Sequence, residues 1–171
     1  LRSLAFWFGT RRSFADLPKL QHLTRVDIWR TRQLEIADLA PLNDIGGLQT
    51  LALRELPKVS TLTWLTNRSL RDLELDLENL ASLTSVSGVP RLENLAIRHP
   101  APRDLLAQLT RLPTVRAVYL YPPALNQVHD GETPAGAAFV LRPIDVVDGQ
   151  FMPFGVNLVR ERHIAAGDRC C

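Results

Sequence analysis

One pattern of apolar residues recurs six times in the first 120 residues of this chain of 171. The pattern is apolar-x-x-apolar-x-apolar, and its copies begin at Leu1, Leu23, Leu48, Leu70, Leu92 and Val115. The starts are 22, 25, 22, 22 and 23 residues apart, which is too regular to follow from composition alone. A near-constant period of this length indicates an internal repeat in which each copy forms one supersecondary unit.

Each repeat unit combines two spacings of apolar residues. The apolar residues at positions 4 and 6 of the pattern are separated by one residue. This spacing of two indicates a short strand, because successive side chains of a strand point to opposite faces. Apolar residues at steps of three, such as Leu17, Leu20 and Leu23, precede most of the strands and favour a 3₁₀ or short helical turn. The spacing of three is not maintained before Leu70, so the sequence predicts an irregular return segment there. Units this short cannot fold alone and must stack on one another.

Motif and period together resemble the leucine-rich repeat family, whose strand motif L-x-x-L-x-L is matched by LRDLEL at 70–75 and LENLAI at 92–97. Residues 36–53 are most similar to the bacterial repeats of about 22 residues. The resemblance covers residues 1–125 and implies a right-handed α/β solenoid. Such a solenoid has short parallel strands on its concave face and 3₁₀, short helical or extended segments on its convex face. The chain departs from the family at relative position 9, where no unit carries the Asn or Cys that caps the backbone, so no asparagine ladder is expected.

The C-terminal part of the chain differs in composition. Of the 30 leucines, 28 lie in residues 1–125, and residues 126–136 are polar and turn-rich. Asp148-Gly149 between apolar arms is a strong hairpin signal. We therefore expect repeats in residues 1–125 and, in residues 126–171, a β-hairpin cap over the open end of the core. A small separate module is the alternative for this region.

The N-terminal end shows no such cap. Leu1 already stands inside the strand motif, which favours a chain cut from a longer protein. No signal peptide can be read, and no apolar run reaches the ~18 residues of a membrane helix. The cysteines are Cys170 and Cys171, which form no disulfide framework, so a cytoplasmic location without membrane attachment is expected.

The repeat places the functional residues on the outer side of the predicted sheet. If relative positions 1, 4 and 6 face the core, then positions 3, 5, 7 and 8 face outward. Position 7 contains two of the three Trp and one of the two Tyr of the chain. Trp, Tyr and Arg are enriched at binding hot spots. The candidate partner-binding residues are Trp7, Trp29, Arg30, Arg54, Asp76, Arg98, His99, Tyr119 and Tyr121.

Two other interpretations of this surface stay open. Position 7 is also compatible with a solvated face held by cross-strand salt bridges. Trp7 and Phe8, at the front edge, are compatible with packing against repeats that precede Leu1 in a longer chain.

The sequence contains no set of residues typical of catalysis. The four His have no metal-ligand spacing and no glycine-rich phosphate loop is present, so we expect no metal, no cofactor and no enzymatic activity. A catalytic domain in residues 126–171 is the remaining enzyme alternative. Asn67-Arg68-Ser69 matches the glycosylation acceptor pattern. Arg outnumbers Lys, but 18 acids oppose the 20 Lys and Arg and the outward positions mix both signs, so nucleic acid is not an expected partner.

These observations favour a non-catalytic recognition module that binds a protein partner on the concave sheet, as the C-terminal sensor or scaffold part of a larger bacterial protein. In the leucine-rich repeat family such arrays often form the sensing end of nucleotide-switch ATPases of defence, an analogy from fold. The alternative is a stand-alone inhibitor or immunity protein that blocks a partner enzyme.

Overall fold

Six short parallel strands, laid side by side in chain order, form the centre of the protein. The computed structural model describes residues 1–7, 13–98, 105–120, 139–143 and 156–160. The parallel strands are β1 (Ser3–Trp7), β2 (Arg25–Trp29), β3 (Thr50–Arg54), β4 (Asp72–Asp76), β5 (Asn94–Ile97) and β6 (Ala117–Leu120). The chain is therefore an α/β protein with a parallel sheet, as the two apolar spacings predict.

Two further strands extend the sheet beyond β6. They are β7 (Phe139–Pro143) and β8 (Val156–Arg160). β8 pairs antiparallel with β6, and β7 pairs antiparallel with β8, so the strand order is β1-β2-β3-β4-β5-β6-β8-β7. The predicted loop at 126–136 and the hairpin turn expected at Asp148-Gly149 lie outside the described residues.

The register of the parallel strands follows the sequence pattern position by position. At relative position 4, Leu51 lies in register between Val26 and Leu73. Throughout the parallel strands, each residue pairs with the residue at the same relative position of the neighbouring unit. The near-constant period of the sequence is thus the distance along the chain between neighbouring strands.

One backbone arrangement recurs where each strand begins. The carbonyl oxygen of Thr24 accepts hydrogen bonds from the amides of Gln49 and Thr50, at 2.8 and 3.0 Å. The same two-amide arrangement joins each parallel strand to its neighbour, with the carbonyl oxygens of Arg2, Thr24, Gln49, Arg71 and Glu93 as the acceptors. Consecutive units therefore begin their strands in the same way.

The core consists of the inward side chains of these strands. From the second unit onward, every side chain at positions 1, 4 and 6 is at most 2% exposed. The first unit departs from this rule, because Leu1 is 70% exposed and Leu4 and Phe6 are only half-buried. Leu1, at relative position 1, is therefore not buried by the described residues. β1 has a neighbouring strand on one side only among the described residues, so no second unit covers its inward side chains.

The apolar residues at steps of three form consecutive 3₁₀-type turns. Leu17 donates its amide to the carbonyl oxygen of Phe14, Leu20 donates to Leu17, and Leu23 donates to Leu20, each at 2.9 Å. A bond from residue i to residue i−3 closes a three-residue turn, which brings every third side chain to the same side. The described connections contain 3₁₀ helices at Leu17–Lys19, Ala40–Asp44 and Thr84–Gly88, and the α-helices α1 (Ile36–Leu39) and α2 (Leu105–Thr110). The predicted 3₁₀ or short helical turns are confirmed.

Helix length also bears on membrane insertion. A membrane-spanning helix needs ~20 residues. None of the helices in the described ranges is long and apolar enough to cross a membrane.

The connection between β3 and β4 is irregular, as the slipped spacing predicts. It contains neither helix nor strand from residue 55 to residue 71. Leu62 and Leu65 remain buried, and the amide of Leu65 donates to the carbonyl oxygen of Leu62 at 2.9 Å. The turn series is then interrupted by Asn67, a polar residue that is only 1% exposed.

Asn67 ties the irregular connection to the preceding one. Its Nδ2 donates at 2.9–3.2 Å to the backbone carbonyl oxygens of Leu42, Asn43 and Ile45. Its Oδ1 accepts the amide of Ser69 at 2.9 Å. Because its side-chain nitrogen is buried and bonded to three carbonyl groups, Asn67 has a structural role in the fold.

Replacing Asn67 with Ala should lower the free energy of unfolding by about 2–4 kcal/mol, because buried carbonyl groups lose their donor. Urea unfolding followed by circular dichroism measures this difference. Asn79→Ala is the matched control, because Asn79 is exposed and donates one bond, to the Pro57 carbonyl oxygen at 2.8 Å. Its cost should stay below about 1 kcal/mol. Equal losses in the two variants would contradict the role assigned to Asn67.

Candidate functional site

The outward face of the sheet is defined by relative positions 3, 5, 7 and 8 of the repeat units. Its side chains alternate with the buried leucines, as in β4, where Asp72, Glu74 and Asp76 are half-buried and Leu73 and Leu75 are buried. In-register pairing aligns equivalent positions of neighbouring strands, which lie about 4.8 Å apart. Outward side chains are therefore close enough to bond across strands.

Aromatic residues occupy one end of this face. The rings of Trp7 and Trp29 meet edge-on, with centroids 5.1 Å apart and planes at 74°. The guanidinium carbon of Arg30 lies 5.1 Å from the centre of the Trp29 ring, which is a cation–π distance. Trp29 Nε1 donates to Glu55 Oε1 at 2.8 Å, and Arg30 Nε forms an ion pair with Glu55 Oε2. Trp7 remains 59% exposed, so it is the accessible member of an ordered cluster.

The backbone at position 8 differs between units. Arg30 and Glu55 have φ of 54° and 51°, the left-handed region that is unfavourable for residues with a Cβ. Both side chains reach the outward face, where they pair with each other. Leu77, the equivalent residue of the next unit, is 2% exposed, so the prediction that it faces outward is wrong. An apolar side chain at this position gains more from the core than from solvent.

An ionic network occupies the middle of the face. Arg54 Nη1 lies 3.3 Å from Asp27 Oδ2, and Arg54 Nη2 lies 2.8 Å from Glu74 Oε2. Glu74 also forms an ion pair with Arg98 through Oε1. This ionic network of Asp27, Arg54, Glu74 and Arg98 joins four neighbouring strands or strand ends, from β2 to β5. The cross-strand salt bridges that the sequence left as one interpretation are therefore present.

The geometry of Arg54 explains why the network is compact. Ala52 lies in register between Asp27 and Glu74, and the side chain of Arg54 reaches both of those carboxylates. Ala52 is fully buried although it occupies an outward position, and the guanidinium group of Arg54 joins the two carboxylates on either side of it. Asp27 Oδ1 and Arg54 Nε are buried without a hydrogen-bond partner among the described residues.

The network shifts the proton affinities of its members. Burial would raise the pKa of Glu74, but hydrogen bonds and charge attraction from Arg54 and Arg98 outweigh burial and hold that pKa below its ordinary value of 4.5. Burial likewise opposes the charge of Arg54, yet bonding to Glu74 and attraction from Asp27 and Asp76 raise its pKa. Both residues therefore stay charged at neutral pH.

Asp72 lies beside the network but has a different set of partners. Its Oδ2 accepts the hydroxyl of Thr50 at 3.3 Å, and its Oδ1 accepts Nδ2 of Asn94 at 2.6 Å. Both partners are neutral. Next to it is a depression of about 210 Å³, lined by Arg25, Thr50, Asp72, Leu73, Glu74, Asn94, Ala96 and Tyr119.

The structure brings most of the candidate partner-binding residues together in two groups. Trp7, Trp29 and Arg30 form the aromatic end, while Arg54 and Arg98 belong to the ionic network. Asp76 ends β4 in register with Arg54, and Tyr119 lies on β6 at the far side of the depression. His99 and Tyr121 fall outside the described residues.

Three acidic residues belong to these groups although the candidate set omits them: Asp27, Glu55 and Glu74. Glu55 orders Trp29 and Arg30, Asp27 pairs with Arg54, and Glu74 orders Arg54 and Arg98. The available signal is their position in the repeat, because all three occupy outward positions near arginines. A search for hot-spot residue types favours Trp, Tyr and Arg and overlooks the carboxylates that hold them.

No metal-binding group is found on this face or elsewhere in the part of the chain that the structure describes, where no three His, Cys, Asp or Glu side chains cluster suitably. A second depression of about 530 Å³ is lined by Gln33, Glu35, Asp38 and Lys58. Glu35 and Lys58 already form an ion pair there at 2.9 Å. A search with protein-family models finds no match to this chain, and a search of curated proteins finds no similar sequence.

The lowered pKa of Glu74 predicts a contribution to pH-dependent stability. Because the unfolded chain binds a proton at this group more readily than the folded protein, the contribution is complete above about pH 5. It is lost as the pH falls below 4.5 and through the folded pKa. Urea midpoints measured from pH 6 to pH 3 should therefore fall less steeply for Glu74→Gln than for the wild type.

Glu78→Gln provides the control for this measurement, since Glu78 is an exposed glutamate just after β4. It should keep the wild-type pH profile. If Glu74→Gln and Glu78→Gln had the same pH dependence as the wild type, the ionic network would not carry the assigned stability.

Proposed function

We propose that the chain is a leucine-rich repeat recognition module, without catalysis of its own, that binds a protein partner on the outward face of its parallel sheet. The proposal treats the six units as coils of one solenoid, whose concave side is this face. It also treats the chain as the sensor or scaffold part of a larger protein.

The observation that carries the proposal is the order of the outward side chains before any partner binds. Trp29 is held by Glu55, Trp7 and Arg30, and Arg54 is held by Asp27 and Glu74. Fixing a side chain on association costs about 0.5–1.5 kcal/mol, and side chains that are already fixed avoid this cost. Trp and Arg are the types that most often carry binding energy when buried at an interface.

The width of the face also fits a small protein partner. Six strands at about 4.8 Å give an outward face about 24 Å wide, which is comparable to one face of a small protein. The exposed Trp7 at one end supplies an apolar anchor, and the mixed charges of the middle supply polar complementarity.

Trp7→Ala is the test of this proposal. The protein is used to capture a partner, the partner is purified, and the affinity is measured by titration calorimetry. Loss of a hot-spot Trp costs about 2 kcal/mol or more, so binding should weaken about thirtyfold or more. Trp7 is 59% exposed, so the variant should fold normally, and an unchanged thermal midpoint verifies this.

Leu1→Ala is the matched control, because Leu1 is 70% exposed at the same edge of the sheet but occupies an inward position of the pattern. It should leave the affinity unchanged. An effect of Leu1→Ala equal to that of Trp7→Ala would place the interface on the edge of β1 and overturn the proposal for the outward face. An unchanged affinity for Trp7→Ala would do the same.

A further inference from the structure

Two alanines at equivalent outward positions have different surroundings. Ala52 lies in register between Asp27 and Glu74, and Ala96 lies between Glu74 and Tyr119. With strands about 4.8 Å apart, an alanine between two longer side chains leaves a slot between residues whose backbones are about 10 Å apart. Over Ala52 this slot is filled by Arg54, whose guanidinium group binds both carboxylate walls.

The slot over Ala96 is open. Arg98 follows Ala96 on the same segment and pairs with one wall, Glu74. The other wall is Tyr119, which offers no carboxylate to draw a guanidinium group across the alanine. Ala96 is accordingly only half-buried, whereas Ala52 is fully buried. Ala96 and Tyr119 line the depression of about 210 Å³ together with Asp72, and we call it the Ala96 depression.

The size of the Ala96 depression indicates what kind of group it can hold. Its volume is about 210 Å³, below the roughly 300–1,000 Å³ of pockets that hold drug-sized ligands. At ~30 Å³ for each water molecule, it has room for about seven waters. That space suits one long side chain projecting from a partner better than a free ligand.

The charges around the Ala96 depression favour a cation. Asp72 is a half-buried carboxylate whose partners, Thr50 and Asn94, are neutral, and it forms no ion pair within the described residues. Glu74 adds a second negative charge, although Arg54 and Arg98 already bind it. Arg25 also lines the depression but is exposed, so water screens its charge more effectively.

We propose that the Ala96 depression receives one Lys or Arg side chain of the protein partner. The cation lies at Asp72, and the alkyl stem lies over Ala96 and against the ring of Tyr119. The protein already contains a similar arrangement, because the guanidinium group of Arg54 binds the two carboxylates on either side of Ala52. Long cationic side chains commonly cover apolar surface with their stems while their charge meets a polar group. The inference rests on the proposed function, because it specifies the partner chemistry that the outward face accepts.

The test uses N-acetyl-lysine methylamide and N-acetyl-arginine methylamide as probes at millimolar concentrations. Amide chemical shifts of the ¹⁵N-labelled protein report where each probe binds. Both probes should shift amides of β4 and β5 saturably, and added salt should weaken the effect. N-acetyl-norleucine methylamide has a similar stem without the charge and should produce no saturable shift there.

Three variants sharpen the test. Asp72→Asn keeps the shape and the hydrogen-bonding capacity toward Thr50 and Asn94 but removes the charge, so the probes should bind about two- to fivefold more weakly. Arg25→Gln removes a like charge and should strengthen binding of the same probes. Asp44→Asn, at an exposed aspartate of the connection between β2 and β3, should change nothing.

Norleucine binding equal to lysine binding would overturn the inference, as would wild-type probe affinity in Asp72→Asn. If Asp72→Asn did not fold, the opposite effect of Arg25→Gln and the norleucine comparison would still decide. The Trp7 experiment separates this inference from the proposed function. If Trp7→Ala weakens partner binding but the Lys and Arg probes do not bind, only the proposal for the Ala96 depression is rejected. If the probes bind but Trp7→Ala leaves partner affinity unchanged, the proposed protein-binding face is rejected.

Discussion

The sheet depends on in-register stacking of the inward side chains at positions 4 and 6. A strand of five residues forms few backbone hydrogen bonds and has a small apolar surface. It is therefore stable only when neighbouring strands place apolar side chains in register with its own. Leu51 between Val26 and Leu73 is one example of this match. The exposed Leu1 shows the converse, since at the front edge the same pattern does not bury its residue.

The outward face is a consequence of the inward stacking. Once positions 4 and 6 are fixed in the core, positions 3, 5 and 7 are aligned in columns on the other side, whatever residues they carry. Opposite charges in neighbouring columns then bond with little additional ordering, as Arg54 does between Asp27 and Glu74. These ion pairs are partly buried, so the cost of desolvation offsets part of the charge attraction. Their clearer effect here is to hold the long side chains in one arrangement.

The sequence predicts the features that depend on spacing alone. Period two and steps of three are local properties, so strand positions, 3₁₀ turns and the irregular segment before Leu70 follow from them. Features that depend on three neighbouring units do not follow. The burial of Ala52 requires Arg54, Asp27 and Glu74 together, and the inward turn of Leu77 departs from its equivalents. The sequence accordingly predicts the candidate site as a surface and leaves cross-strand salt bridges as one interpretation, but it does not predict which residues pair.

The regular part of the outward face is poorly suited to discriminate between partners, because its charges already satisfy one another. Arg54 would gain little from a partner that must first displace Asp27 and Glu74. Capacity for new contacts remains at Trp7, at the end of the sheet within the described residues, and at Asp72, whose partners are neutral. On this argument, the ion-paired residues supply rigidity, and Trp7 and Asp72, which lie outside the ionic network, supply specificity.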